Sequence, residues 1–310
     1  MEKFYKLISI CSALLLTAGL VSSDFLILDL PINFLPQWTI CNFILLLYFT
    51  IKRTSRFIIL SLFSFTLGLF FIYPYLGVNK TTDNLSKRES ILLMNIYTKN
   101  PHKKEAIDLI RSRNSSLVVV LEIDPDWQKE LEELADIYPY TYYKPELNNF
   151  GLAILSKVPL GDTKIFNLSE VPAIKITLNI QERSVDLIAL HTFPPVSQAA
   201  LEIRNSQISQ LQDAIISDNR FSIIAGDFNA SLWNPIFRKL LKNKKLLDSR
   251  LNQGIQSTWP TATIMPYLYL LFPTPIDHLL FSKGLIVLDS EVVSYPGSDH
   301  RGMYAEFSFY

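Results

Sequence analysis

Three uncharged, mostly apolar runs near the start of the chain limit its fold more than any other feature. They are Leu7–Ser23, Leu30–Ile51 and Phe57–Asn79, 17, 22 and 23 residues long, against the roughly 20 residues a helix needs to cross the hydrocarbon core of a bilayer. Backbone groups in hydrocarbon find no water, so such runs must be helical. Pro31 and Pro36 restrict the second helix to Trp38–Ile51, because proline removes a donor and clashes inside a helix; this span is short, tilted or partly interfacial. A cleavable leader is the competing reading of the first run, since Lys3 and Lys6 precede it. No small-x-small cleavage site follows, however, and two further long runs do. The sequence therefore predicts an anchor over residues 1–79 with about three transmembrane helices.

Charge sets the expected orientation. Lys3 and Lys6 flank the first run and Lys52, Arg53 and Arg56 separate the second from the third, whereas the loop between the first two carries only Asp24 and Asp29. Basic loops stay inside, so three spans put everything after Lys80 outside. The expectation is a multi-pass cell-membrane protein whose larger part faces the periplasm or the extracellular space. Both cysteines, Cys11 and Cys41, lie in the apolar runs, so the exported part needs no disulfide, which suits export. Polar residues 80–90 read as a linker. Beyond residue 79 there are 24 Lys and Arg against 26 Asp and Glu. That balance offers a polyanion no global attraction and leaves a local basic groove as the only electrostatic lure.

Residues 91–310 read as a layered α/β domain. Strands are expected at Ile91–Tyr97, Ser116–Ile123, Thr141–Lys144, Gly151–Ser156, Ala173–Ile180, Val185–His191, Phe221–Asp227, Ile276–Phe281, Val287–Val293 and Met303–Phe309. Helices are expected after Asn100 (as cap, with Pro101 in the first turn), around Pro125–Ile137, over Ser197–Ser217 and near Pro235–Lys242.

Polar residues fall where these apolar strands stop. "FSIIAGDFNAS" ends a strand in Asp227 and Asn229, which share a face if the strand runs on. Asn95, Glu122, His191, Asp277, Asp299 and His300 end or follow other apolar stretches in the same way. Taken alone, each reads as a structural hydrogen-bonding group. Together they read as one rim around one charged object, because every buried charge must find a partner. His278 must point away from Asp277 and reads as packing, and His102 as solvated.

The ordered set "MNIY", "LEI", "NNFG", "LHTFPP", "GDFN", "IDH" and "SDH" resembles the endonuclease/exonuclease/phosphatase superfamily, and the preceding apolar runs resemble a membrane-anchored bacterial branch of it. The resemblance implies a four-layer α/β sandwich, two face-to-face mixed sheets flanked by helices, here preceded by an all-α anchor. It implies a divalent-metal phosphodiesterase, with magnesium favoured and manganese or calcium as alternatives. By the same resemblance Glu122, Asn95 and Asp299 hold the metal, and Asp277 and His300 form the Asp–His pair that activates water. Asp227 and Asn229 position nucleophile or phosphate, His191 contacts the phosphate, and Asn149 approaches the substrate beside Gly151. Tyr97 stands where AP endonucleases carry an acidic residue, which speaks against an AP-site repair role.

"IMPYLYLLF" (Ile264–Phe272) is uncharged. It reads either as a strand or loop packed on the core or as an apolar loop beside the site touching the bilayer. The expected partners are a phosphoester (lipid, small molecule or nucleic acid) and the lipid bilayer, with no obligate protein partner implied. A tethered nuclease acting on external DNA or RNA, and a non-enzymatic membrane module with a relict site, are the alternatives.

Overall fold

The computed structural model describes residues 1–77, 87–215 and 221–310. Four helices come first: α1 (Glu2–Val21), α2 (Leu26–Ile32), α3 (Leu35–Ile51) and α4 (Ser55–Ile72). Then follow β1 (Glu89–Asn95), α5 (Lys103–Arg113), β2 (Leu117–Leu121), α6 (Pro125–Glu132), β3 (Tyr140–Lys144), β4 (Leu152–Ser156), β5 (Leu160–Leu168), β6 (Val171–Ile180) and β7 (Arg183–His191). The chain closes with α7 (Gln198–Ala214), β8 (Phe221–Asp227), α8 (Pro235–Lys244), β9 (Leu246–Asp248), α9 (Pro266–Leu271), β10 (Asp277–Ser282), β11 (Leu285–Val293) and β12 (Gly302–Phe309).

The strands form two six-stranded sheets, ordered β11-β12-β1-β2-β4-β3 and β5-β6-β7-β8-β10-β9. Each holds one parallel pair, β1 with β2 and β7 with β8, crossed over by α5 and α7; the other pairs are antiparallel. Side-chain alternation distributes the apolar residues. Ile91, Leu93, Ile223 and Ala225 face the neighbouring sheet, while Leu92, Met94 and Ile224 face outward under helices. Burial on both faces is why these strands read as continuous apolar runs. The missed strands, β5 and β9, are sheet edges. Leu160–Leu168 exposes most of its residues and carries a register shift, so it shows no alternation to recognise.

The helix after Asn100 starts two residues later than expected. His102 occupies the cap position, and Asn100 instead accepts the His102 N–H at 2.8 Å and donates to the Pro296 carbonyl at 3.0 Å. The linker expected over 80–90 lies mostly outside the described residues, as does the end of the Ser197–Ser217 helix; Glu89 and Ser90 already belong to β1.

Two N-terminal helical segments, Glu2–Val21 and Ser55–Tyr75, are long and apolar enough to cross a membrane. The second run is broken: α2 and α3 meet at 78° and make a third span only if counted together. Pro31 and Pro36 bracket that bend, as backbone sterics require. Gly68 lets α3 and α4 approach closely, since a side chain there would meet Thr39 Oγ1 at 2.1 Å.

The helical region is not held off by a tether. Leu16, Leu20, Ile32, Leu35 and Ile72 share one apolar cluster with Ile188, Leu190, Ile224, Phe237 and Leu240, so the N-terminal helices join α7 and α8 in the outermost layer. Polar contacts fix the same seam. Asp29 of α2 is fully buried in an ion pair with Arg204 of α7, and it also accepts from Asn234 Nδ2 at 2.8 Å. Arg238 donates to the Leu20 carbonyl.

Candidate active site

Register builds the site. His191, Asp227 and Asp277 are directly opposite one another across β7, β8 and β10, a single rung at the sheet end. Residues on one rung point the same way, so three polar side chains are forced together. In the facing sheet, Asn95 ends β1 opposite Leu121, and Glu122 follows at once. His300 arrives from the turn before β12.

Asp277 Oδ2 accepts from His300 Nδ1 at 2.8 Å. His300 Nε2 then faces Asp227 Oδ2 at 3.7 Å, and His191 Nε2 faces the same oxygen at 3.5 Å. Asn95 Nδ2 donates to it at 3.3 Å, while the Asn229 N–H donates to Asp227 Oδ1 at 2.8 Å. His191 Nδ1 donates to the Asn149 carbonyl at 2.8 Å, which leaves Nε2 for the site.

The electrostatics follow. Burial disfavours charge on His300, but the Asp277 and Asp227 carboxylates outweigh it and carry the imidazole up to about 10. Burial likewise opposes charge on His191, and the Asp227 hydrogen bond prevails, so its pKa is raised. Asp227 is pushed up by burial yet ends below the usual carboxylate range, because His191 and His300 stand beside it. For Glu122 burial wins, and its carboxyl is raised despite those histidines.

A cavity of about 820 Å³ opens on this cluster, lined by Glu122, Asn149, His191, Asp227, Asn229, Asp299 and His300, with Asn95 and Asp277 just behind. All nine residues singled out from the sequence thus meet at one rim. One local expectation fails. The strand ends at Asp227, and Asn229 lies beyond it with φ +46°, so strand alternation does not place it. It reaches the cavity because the chain turns sharply, held by Asn229 Nδ2 on the Thr192 carbonyl at 2.9 Å. Glu122, at φ +66°, and Tyr97, at φ +58°, are left-handed too, a conformation unfavourable for side-chain-bearing residues and concentrated at functional sites.

A second set of residues escaped sequence reading. Thr98 donates to the Glu122 carbonyl at 3.0 Å, and its N–H reaches Glu122 Oε2 at 3.4 Å. Tyr295 and Ser298 both donate to the Asn95 carbonyl, at 2.6 and 2.7 Å. Trp259 Nε1 donates to Asp299 Oδ2 at 3.2 Å, and Thr258 Oγ1 accepts the Asp277 N–H at 3.1 Å. Only the position of Ser298 directly before "DH" hinted at such a role. Gly151 is required by close approach, since a side chain there would meet the Ile123 carbonyl oxygen at 1.8 Å. His278 points to the opposite face, its Nε2 on the Ala230 carbonyl at 2.8 Å beside Asp248 and Arg250. His102 pairs with Glu105 at the surface.

The donor set suits a hard divalent cation. Asp277 Oδ1 and Asp299 Oδ1 are buried oxygens with no hydrogen-bond partner, and a buried carboxylate oxygen without a partner is costly. Ligand atoms of Asp227, Asp277 and His300 lie within 4.8 Å of one another. Among the described residues no Lys or Arg lines the cavity. Oxygen-rich, cation-poor sites of this kind match magnesium, manganese or calcium.

The sequence pattern of the Endonuclease/Exonuclease/phosphatase family matches residues 92–300. No curated protein matches the chain. Among solved structures, D. rerio TDP2 complexed with single-strand DNA product aligns with a TM-score of 0.61 at 16% identity, covering 72% of this chain and 99% of that one. An endonuclease/exonuclease/phosphatase from Beutenbergia cavernae DSM 12333 aligns at 0.59 and 19%, covering 72% of each chain. A functionally unknown conserved protein from Enterococcus faecalis V583 aligns at 0.58 and 22%, covering 71% of this chain and 100% of that one. At these identities the likeness is one of fold.

Proposed function

The chain belongs to the endonuclease/exonuclease/phosphatase family, and from that premise we propose that it is a membrane-anchored, divalent-metal-dependent phosphodiesterase. The observation that carries the reading is the meeting of His191, Asp227 and Asp277 on one rung with Glu122, Asp299 and His300 across a single cavity.

Glu122, Asp299 and Asn95 are assigned to the metal. A divalent cation bound there supplies positive charge that polarises the phosphoryl oxygen and offsets charge in the transition state. Asp277 orients His300 and raises its proton affinity. Asp227, kept ionised by His191 and His300, receives the proton as the oxygen of water bonds to phosphorus, while the protonated His300, held by Asp277, faces the same Asp227 oxygen and offsets charge there. The bond from phosphorus to the departing alkoxide breaks in line, and His191, held by the Asn149 carbonyl, delivers a proton to that oxygen. Asn229 and Asn149, at the cavity wall, keep an amide each to steady the phosphate. Each step uses one protonation state of a group whose pKa its neighbours have displaced, as expected of a functional site.

Membrane attachment and an extracytoplasmic site belong to the same proposal. The domain packs on Leu16, Leu20, Leu35 and Ile72, at one end of the helices, whereas Lys3, Lys6, Lys52, Arg53 and Arg56 sit at the other. Positive loops remain cytoplasmic, which supports three crossings and an outward-facing site.

The test is turnover by the full chain in detergent, with magnesium, manganese or calcium, of bis(4-nitrophenyl) phosphate, plasmid DNA and phospholipid vesicles. Metal-dependent hydrolysis abolished by chelation is expected. No turnover of any substrate with any of the three metals would overturn the reading.

A further inference from the structure

We propose that the catalytic cavity continues into an acyl-chain groove built by the anchor, and that the ester cleaved belongs to a membrane lipid. This deepens the phosphodiesterase reading above and rests on it. A second cavity of about 400 Å³ adjoins the first, and Leu30 and Phe34 line both. From there it runs along Trp38 and Cys41 of α3, with Phe272 as the opposite wall, its ring 5.2 Å from that of Phe34. Phe34 caps α3, and positions 34, 38 and 41 follow the spacing of one face of that helix, while Leu30 reaches the same groove from α2 across the bend. The rise from Phe34 to Cys41 is about 10 Å along the helix, so a chain entering at the catalytic rim descends into the depth of the span.

Three observations name the occupant. The groove starts at the reacting centre and ends on a helix of the apolar N-terminal region, a path with a polar head and an apolar tail. Its walls carry no charge, and among the described residues their one unpartnered buried acceptor is Gln37 Oε1, which suits a hydroxyl or amide near the head of a lipid. Finally, α9 buries none of its residues; Tyr267, Leu270 and Leu271 are exposed beside Phe272, as are Phe25 and Ile27 next to α2. Such a surface is stable against the lipid boundary, and it puts the groove mouth at that level. The uncharged segment before Asp277 therefore meets the bilayer and closes the groove.

The experiment uses full-length protein in detergent and a series of alkyl 4-nitrophenyl phosphates with chains of two to ten carbons. Burying a methylene is worth up to about fourfold in kcat/KM. The quantity read is the ratio of kcat/KM for the ten-carbon ester to that for the two-carbon ester, which does not depend on how much of a preparation is folded. Micelle partitioning is common to all variants. A ratio at least tenfold higher in the wild type than in Cys41→Trp, which fills the groove, is expected. Phe272→Ala, which removes the far wall from outside the helices, should lower it too, and Cys41→Ala should not. Equal ratios in wild type and Cys41→Trp overturn the groove while leaving the phosphodiesterase reading intact. A flat ratio with efficient plasmid cleavage points to a nuclease and overturns it as well. Failure to cleave any ester of the series, with turnover of plasmid DNA or bis(4-nitrophenyl) phosphate retained, overturns the groove alone; no turnover of any of these substrates with any of the three metals overturns both readings.

Discussion

Replacing Asp29 by alanine should destabilise the whole protein, although Asp29 lies in the N-terminal helical region and outside the cavity. Its carboxylate is fully buried and accepts from Arg204, from Asn234 Nδ2 at 2.8 Å and from Asn33 Nδ2 at 3.3 Å. Removing one partner of a buried ion pair costs about 3–5 kcal/mol, because the other charge stays desolvated. Arg204 would keep the Asn229 carbonyl at 2.8 Å and Asn205 Oδ1 at 2.8–3.0 Å, which places the cost near the lower figure. For a chain of 310 residues about 3 kcal/mol lowers the thermal midpoint by roughly 5 °C, measured by circular dichroism on the full chain in detergent. Asp29→Leu combined with Arg204→Met should recover most of that loss, since a well-packed apolar pair replaces a buried ionic one at little cost. It should not recover activity, because Arg204 also holds the Asn229 carbonyl and thereby the turn that carries Asn229 into the site. A midpoint shift below about 2 °C for Asp29→Ala would refute the claim that the N-terminal helices and the sandwich are one folded body, and full activity in the double variant would refute the role of Arg204 in holding Asn229.

Asp277→Asn and His300→Ala should each lower kcat by about 10²–10⁴-fold, and the double variant should be no worse than the poorer single one, because the two groups act as a unit; additive losses in steady-state assays would separate them. In chelator, stability should depend on His300. Its folded pKa, about 10, lies above the ordinary 6.5, so its contribution is complete below pH 6.5 and disappears as pH rises through 10. Thermal midpoints between pH 6 and 10.5 should therefore fall in wild type and stay flatter in His300→Asn. A chain beginning at residue 87 should aggregate and bind ANS, because it uncovers the faces of Ile188, Leu190 and Phe237 on which the N-terminal helices pack; a monodisperse, ANS-silent fragment would contradict this.

Much of the site could be read without coordinates, for a simple reason. Asn95, Glu122, His191, Asp227, Asp277, Asp299 and His300 interrupt apolar stretches, and a polar residue at the end of a buried strand is expensive enough to be visible in sequence. Strands buried on both faces were visible for the same reason. The edge strands Leu160–Leu168 and Leu246–Asp248 were not, since half-exposed edges carry no periodic signal. Thr98, Tyr295, Ser298 and Trp259 were also hidden: they act by hydrogen bonding to neighbours far away in the chain, and their identities alone announce nothing.

By itself, then, the amino-acid order determined the apolar helices, the layered α/β class and the roster of polar residues that gather at the cavity, because burial and periodicity are local properties. Tertiary structure alone decided that His191, Asp227 and Asp277 share a rung and that Asn229 reaches them through a left-handed turn. It also decided that Asp29 and Arg204, 175 residues apart, lock the N-terminal helices against the layer that carries the site. These are facts of register and long-range packing. A one-residue slip would reverse every side chain on a strand, and no local pattern records which distant partner a buried charge will find.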